Sequence, residues 1–258
     1  MAAHRTTAPA AVSPIPGDWP DRLPSRIEIR EVGPRDGLQN IDTEVTTEGK
    51  VALVRALALG GLRRIEAVSF VSPRAVPQMA DAEEVVRGIQ DVPGLSVEAL
   101  VPNERGAERA LGTGGVDRLV FVVAASDTFN HRNVRMTAEE SLLGLSAVSG
   151  LAHAAAVPLS VVVATAFGCP YEGDVPAEAV TALVGRAVDC GTDEIILADT
   201  TGMATPASVA ALVPAARAAA GCSVGIHLHD TRGLGLANAL AALALGVDRF
   251  DASIAGMG

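Results

Sequence analysis

One segment near the start of the chain reads Glu31-Val32-Gly33-Pro34-Arg35-Asp36-Gly37-Leu38-Gln39-Asn40. It follows an alternating apolar run, Ile27-Glu28-Ile29-Arg30, whose period of two predicts a β-strand. Gly33-Pro34 interrupts this pattern, so we expect Arg35 and Asp36 just beyond the carboxyl end of the strand. An arginine beside an aspartate can also be an ordinary salt-bridged turn, and a second motif bears on that choice.

The second motif lies far along the chain and reads His227-Leu228-His229-Asp230. Histidines two positions apart in a strand point to the same face, which presents two imidazole nitrogens to one ion. Together with the carboxylate of Asp36, they predict a mixed nitrogen and oxygen site for a divalent cation. The alternative interpretation is a pair of hydrogen-bonded core histidines.

Four segments together resemble the hydroxymethylglutaryl-CoA lyase family, which belongs to the metal-dependent lyases and Claisen-type synthases built on a TIM barrel. They are residues 31–40, Ser69-Phe70-Val71-Ser72-Pro73, Gly168-Cys169-Pro170-Tyr171-Glu172-Gly173 and His227-Leu228-His229-Asp230-Thr231. The likeness extends over residues 27–258. The order Gly-Pro-Arg-Asp-Gly-Leu-Gln is similar to the lyase branch rather than to the isopropylmalate or homocitrate synthase branch.

The composition sets limits on the fold and the partners. A chain of 258 residues fits one α/β barrel, and with 49% hydrophobic but only 3% aromatic residues we expect aliphatic side chains to fill it. The net charge of −10 argues against a nucleic-acid groove. The cysteines (Cys169, Cys190 and Cys222) form no CxxC pair, and no secretory signal is visible, which favours a bacterial cytoplasm.

The segment from Ser141 to Tyr171 contains no charged side chain and is long enough to span a bilayer. Small and polar residues dilute it, however, and Val157-Pro158 interrupts it. We therefore predict a buried helix followed by a buried strand over residues 159–165, and no membrane partner.

The remaining pattern alternates strands and helices. Residues 1–25 are rich in Ala, Thr and Pro and predict a flexible arm; residues 26–258 form the predicted catalytic domain. Predicted strands cover residues 27–30, 63–68, 95–101, 118–123, 159–165, 194–198, 224–228 and 249–254. Predicted helices cover residues 46–59, 80–90, 104–111, 138–155, 176–190, 206–219 and 236–245. This rhythm indicates a (β/α)8 TIM barrel, with a doubly wound open sheet as the alternative. Closure is favoured because candidate chemical residues follow strands that are distant in the chain.

The resemblance also implies roles for individual residues. It implies that Asp36, His227 and His229 bind Mg²⁺ or Mn²⁺, although the ligand set alone also admits Zn²⁺ or Co²⁺. Arg35 is expected to meet the thioester oxygen and stabilise an enolate, and Gln39 to lie near the substrate. Glu66 and Asp199 are expected to handle protons, with a turn cap as the alternative for Asp199. Arg132 and Asn133, in a basic loop after the fourth strand, are expected to contact CoA phosphates, and Cys169 to line the mouth of the barrel.

The function implied is cleavage of hydroxymethylglutaryl-CoA to acetoacetate and acetyl-CoA by metal-assisted retro-Claisen chemistry, with places in leucine catabolism and ketone body formation. Open alternatives are an acetyl-CoA-dependent synthase of the citramalate or isopropylmalate type and a catalytically incomplete barrel that binds metal or acyl-CoA. A homodimer or higher homo-oligomer is expected. In the family, a loop with the catalytic cysteine and an asparagine ligand would follow Gly258, so the barrel is expected to be truncated after strand eight and this chain to lack turnover.

Overall fold

The computed structural model describes Asp18, Asp21 and residues 23–258 of the chain. Apart from those first few positions, the flexible arm predicted for residues 1–25 lies outside the described residues and stays a prediction. Within the described part, the molecule is built from parallel strands that alternate with helices.

Eight parallel strands close into a barrel in their sequence order. They are β1 Glu28–Glu31, β2 Arg64–Ser69, β3 Ser96–Leu100, β4 Arg118–Ala124, β5 Leu159–Ala164, β6 Glu194–Asp199, β7 Ser223–Leu228 and β8 Arg249–Ala252. Closure depends on the pairing of β8 with β1, where Glu28 lies opposite Arg249 and Glu31 opposite Ala252. The predicted TIM barrel is therefore confirmed, and the open-sheet alternative is excluded.

Helices follow the strands and surround the barrel. They are α1 Thr47–Leu59, α2 Ala82–Ile89, α3 Glu104–Gly112, α4 Asp127–Val134, α5 Ala138–Ala154, α6 Ala177–Asp189, α7 Pro206–Ala220 and α8 Gly235–Ala244. A turn of π-helix, Gly33–Gly37, and short 3-10 turns, Pro77–Met79 and Ile254–Gly256, occupy loops at the carboxyl ends of strands. The sequence pattern predicted all of these helices except α4.

The apolar core lies mainly between the strands and the surrounding helices, where aliphatic side chains from both layers are buried. The inside of the barrel differs from the expected aliphatic filling. A small apolar cluster of Val120, Val162, Ile196 and Ala198, with Val122 packed against it, lies there, and charged residues carried by the strands are buried beside it. Because these charges pair with one another, burial does not leave them uncompensated.

One ionic cluster occupies the amino-terminal end of the barrel. Arg64 donates to Glu98 at 2.6 Å and to Glu194 at 2.8 Å, and Glu194 also accepts from Ser160 at 2.6 Å and Arg249 at 2.7 Å. Burial raises the pKa of Glu194, but bonds and charge from Arg64, then the bonds from Ser160 and Arg249, lower it to about 2. This end of the barrel is held by buried ion pairs.

The uncharged segment from Ser141 to Tyr171 folds as the sequence predicted, because it contributes most of α5 and then the fully buried strand β5. Among the described residues, no helix is both long and apolar enough to cross a membrane.

Candidate metal centre and active site

The motif after β1 forms a tightly held turn at the carboxyl end of the barrel. Glu31 is buried, and its Oε1 accepts from the backbone N–H of Gly33 at 2.7 Å and of Ile254 at 3.0 Å. This carboxylate therefore ties the loop after β1 to the loop after β8. A Cβ built on Gly37 would lie 2.6 Å from the Cβ of Met257, so the close approach of these two loops requires glycine there.

The two histidines converge with Asp36 in front of this turn. His227 lies near the end of β7, and His229 follows the strand. Their Nε2 atoms are 3.0 Å apart, and Nε2 of His227 is 3.8 Å from Oδ2 of Asp36. One ligand atom from each of the three residues lies within 4.8 Å of the others. The three side chains line a cavity of about 380 Å³ rather than the closed core.

This arrangement fits a divalent cation on two counts. Two ligands at right angles and roughly 2.1 Å from one ion lie about 3.0 Å apart, which is the separation of the histidine Nε2 atoms. In addition, burial and then the neighbouring His227 lower the pKa of His229, so its imidazole is neutral at neutral pH and can offer a lone pair.

Asp251 and Arg30, which the sequence did not single out, form a hydrogen-bonded chain to His227. Its Nδ1 lies 2.9 Å from Oδ2 of Asp251, and that carboxylate accepts from Nε and Nη2 of Arg30 at 2.8 and 2.6 Å. Burial raises the pKa of Asp251, but Arg30 and then His227 hold it well below its usual range. The carboxylate is therefore ionised, and Nδ1 of His227 is the donor of this hydrogen bond.

Arg35 joins the candidate metal site to a buried acid. It donates from Nη1 to Oδ1 of Asp36 at 2.7 Å and from Nε to Oε1 of Glu66. Burial lowers the pKa of Arg35, but Glu66 and Asp36 raise it by more. Nε and Nη1 are thus both bonded, and Nη2 makes no hydrogen bond to the described residues. Oε2 of Glu66 also has no hydrogen bond to them and lies 3.4 Å from Nη1 of Arg30.

Asp199 combines the two interpretations that the sequence left open. Its Oδ1 caps the turn after β6, because it accepts from the backbone N–H groups of Met203 at 2.7 Å and Ala204 at 3.0 Å. Its Oδ2 is buried and has no partner in the described part of the chain. Burial raises the pKa of this carboxyl. Since Ala198 pairs in register with His227, Asp199 ends its strand next to the histidine strand.

The residues expected to contact the substrate lie outside the cavity that holds the candidate metal ligands. Gln39 is half-buried in a helical position directly after the π-helix, with no side-chain hydrogen bond among the described residues. Arg132 and Asn133 are exposed and lie on α4, not in a loop. The loop expectation was wrong because Ser126 caps this short polar helix by accepting from Phe129 N–H. None of the three lines the cavity between Asp36 and the histidines.

The loop after β5 also corrects one expectation. Cys169 is fully buried, its Sγ accepts from Oγ of Ser126 at 3.0 Å, and so it does not line the mouth. The exposed ring of Tyr171 beside it lies 4.3 Å from the guanidinium carbon of Arg132. Cys169 is therefore an internal residue of this loop, while Tyr171 and Arg132 lie at its surface.

Known proteins resemble this chain in sequence and in fold. The mitochondrial hydroxymethylglutaryl-CoA lyase of Gallus gallus is 43% identical over 237 residues, which are 92% of this chain and 79% of the relative. The crystal structure of a hydroxymethylglutaryl-CoA lyase from Pseudomonas aeruginosa matches with a TM-score of 0.88 at 38% identity, covering 92% of this chain and 79% of that one. An HMG-CoA lyase from A. baumannii, solved with coenzyme A and 3-methylmalate, matches with a TM-score of 0.86 at 41% identity, covering 90% and 76%. A family model described as HMGL-like matches residues 26–258. The chain therefore belongs to the HMGL-like family.

Proposed function

We propose that this protein is a carbon–carbon lyase that cleaves hydroxymethylglutaryl-CoA to acetoacetate and acetyl-CoA. The observation that carries the proposal is the meeting of Asp36, His227 and His229 in one cavity, with Arg35 hydrogen-bonded to Asp36. The relatives named as lyases of this substrate support the same reaction. The coenzyme A in the A. baumannii complex supports an acyl-CoA as the substrate class.

The reaction breaks the C2–C3 bond of the substrate. A divalent cation held by Asp36, His227 and His229 would polarise the C3 hydroxyl and a carboxylate oxygen, as a Lewis acid. The hydroxyl loses its proton, C3 becomes the ketone carbon of acetoacetate, and the bonding electrons pass to C2 to give the acetyl-CoA enolate. Protonation of that carbon completes acetyl-CoA. We propose Mg²⁺ or Mn²⁺ as the cation.

Arg35 is proposed to bind the thioester oxygen as negative charge develops on it. Glu66 and Asp36 hold two edges of the guanidinium, so Nη2 is fixed before the substrate arrives. A donor that needs no reorientation during the reaction stabilises the transition state by about 3–4 kcal/mol.

Asp199 is proposed to accept the proton of the C3 hydroxyl. Its Oδ1 is occupied by two backbone N–H groups, which fix the side chain, while Oδ2 is unpaired. Burial raises the pKa of the carboxyl, which makes it a better proton acceptor than an exposed aspartate. Glu66 acts mainly through its bond to Arg35.

Several finer expectations remain proposals. Gln39, Arg132 and Asn133 are proposed to contact the acyl-CoA, and the Arg132–Tyr171 pair offers a basic and aromatic surface for it. A cytoplasmic location is supported by the unpaired cysteines and the bacterial relatives. Formation of acetoacetate, a ketone body, as in leucine catabolism, follows from the reaction. A homodimer or higher homo-oligomer stays a prediction.

The test is product analysis with the full-length protein carrying this sequence. After removal of metal and addition of Mn²⁺, we expect equal amounts of acetoacetate and acetyl-CoA from hydroxymethylglutaryl-CoA, and no product in the presence of a chelator. Consumption of acetyl-CoA with release of free CoA would indicate a synthase instead. Metal binding without either reaction would indicate a barrel that binds but does not turn over.

A further inference from the structure

We propose that Asp251 and Arg30 are positioning residues that keep His227 in the one tautomer able to bind the cation, and that Arg30 links this histidine to Arg35. The inference rests on the proposed function, because it concerns the same metal centre. It assigns a role to two buried side chains that are not among the three proposed ligands.

The hydrogen bond at Nδ1 of His227 can run in only one direction. Arg30 donates to both oxygens of Asp251, at 2.8 and 2.6 Å, and a guanidinium can only donate. Oδ2 of Asp251 also lies 2.9 Å from Nδ1 of His227. Because a carboxylate paired in this way only accepts, Nδ1 must carry the proton. In the neutral imidazole, which is the form that binds a cation, Nε2 then has the lone pair, on the side that faces His229 and Asp36.

The charged contacts of Arg30 continue through Glu66 to Arg35. Nη1 of Arg30 lies 3.4 Å from Oε2 of Glu66, and Oε1 of Glu66 accepts from Nε of Arg35. Arg35 in turn donates to Asp36 at 2.7 Å, and Oδ2 of Asp36 lies 3.8 Å from Nε2 of His227. These contacts form a chain that runs from His227 through Asp251, Arg30, Glu66 and Arg35 to Asp36, whose Oδ2 faces the bare Nε2 of His227 without a hydrogen bond. Arg30 is the member that couples the histidine ligand to the arginine proposed to bind the enolate.

A second set of buried ion pairs, around Glu194, is linked to these contacts through Glu98, which accepts from Nη1 of Arg30 at 3.3 Å and from Arg64 at 2.6 Å. The cluster around Glu194 also buries a carboxylate bonded to arginines, but it lies at the opposite end and contacts no candidate ligand. The side chains of Arg30 and Asp251 are only 3% and 4% exposed. Removing either carboxylate costs stability, but only Asp251 is placed to change the protonation of a ligand nitrogen.

The experiment uses ¹⁵N-histidine NMR and Mn²⁺ titration calorimetry on the full-length protein. In the metal-free wild type at neutral pH, the nitrogen shifts of His227, assigned with His227→Gln, are expected to show protonated Nδ1 and bare Nε2. Asp251→Ala removes the acceptor, so the population with protonated Nε2 should rise and Mn²⁺ affinity should fall by roughly 10- to 100-fold. Asp251→Asn keeps the size of the side chain but puts an amide N–H in place of one of the two oxygens that accept from Arg30, so it should shift the tautomer and lower the Mn²⁺ affinity as Asp251→Ala does.

The matched control is Glu194→Ala, which removes a buried, arginine-bonded carboxylate at the other end of the barrel. It should lower the melting temperature without changing the His227 tautomer or the Mn²⁺ affinity. A wild-type His227 with protonated Nε2 would overturn the inference, as would unchanged Mn²⁺ affinity in Asp251→Ala. If Asp251→Ala does not fold, the wild type and Asp251→Asn still decide the tautomer. A wild type that binds no Mn²⁺ refutes the proposed function, while the tautomer continues to test the inference.

Discussion

Replacement of Arg35 by lysine keeps a positive charge beside the candidate metal site but removes the planar guanidinium and its several N–H donors. Arg35 uses Nε for Glu66 and Nη1 for Asp36, which leaves Nη2 for a substrate oxygen. A lysine ammonium is a single point on a flexible stem, and it cannot occupy these three positions at once. Because Glu66 is fully buried, its carboxylate needs a cationic partner. The lysine ammonium should therefore bond to Glu66 and leave the substrate oxygen without a donor.

The size of the effect follows from the loss of one preorganised donor. Removal of such a donor lowers kcat by about 10²–10³-fold, or roughly 3–4 kcal/mol. We therefore expect Arg35→Lys to lower kcat for acetoacetate formation by two to three orders of magnitude. Mn²⁺ affinity should stay close to that of the wild type, because Asp36 and both histidines remain in place.

The assay is initial-rate acetoacetate formation at saturating Mn²⁺, with Mn²⁺ affinity measured separately. Arg64→Lys is the matched control, because Arg64 is a buried arginine bonded to Glu98 and Glu194 at the far end of the barrel. It should lose stability but not kcat. If Arg35→Lys raises KM and leaves kcat unchanged, Arg35 serves binding alone and the enolate assignment is wrong.

Two further predictions concern single carboxyl groups. Asp199→Asn should lower kcat by roughly 10²–10⁴-fold, because the proton acceptor is lost. The fold should be kept, since the amide oxygen can still accept from the N–H groups of Met203 and Ala204. An unchanged kcat and pH–rate profile would show that Asp199 serves only as the cap of this turn. For Glu194, a folded pKa of about 2 lies below the unfolded value of 4.5, so its contribution is present above about pH 4.5 and is lost as the pH falls toward 2. That contribution is on the order of 3 kcal/mol. Urea unfolding at pH 7 and pH 3 should show the loss of about 2 kcal/mol of it, because pH 3 lies between the two pKa values. Glu194→Gln should flatten this pH dependence; the same pH dependence in both proteins would contradict the assignment.

The sequence predicted the barrel because each element carries a local signal. The strand of residues 118–123 and the helix of residues 206–219, for example, were placed within a residue of β4 and α7. Helix α4 was missed because Asp127–Val134 is polar and short, and lacks the apolar period that identified the others. Its signal was the capping residue Ser126 rather than hydrophobicity.

In the candidate site, too, some residues carry a local sequence signal and others do not. Asp36, His227 and His229 could be named in advance because each lies in a short motif at a strand end. Arg30 and Asp251 could not, although their alternation with Glu28 and Arg249 places both on the inner face of the barrel. Their contact spans 221 positions in the sequence and exists only because β8 closes against β1. Local periodicity gives the face of a strand but not the partner across a closed sheet.

The most direct test of the central claim is Mn²⁺ titration of the full-length protein and of His229→Ala, each prepared free of metal. His229 contributes a ligand nitrogen 3.0 Å from that of His227, but it has no role in the ion pairs inside the barrel. We expect one Mn²⁺ site in the wild type, and its loss in His229→Ala with the melting temperature nearly unchanged. Binding of the same strength in both proteins would show that the cation does not lie between Asp36 and the two histidines.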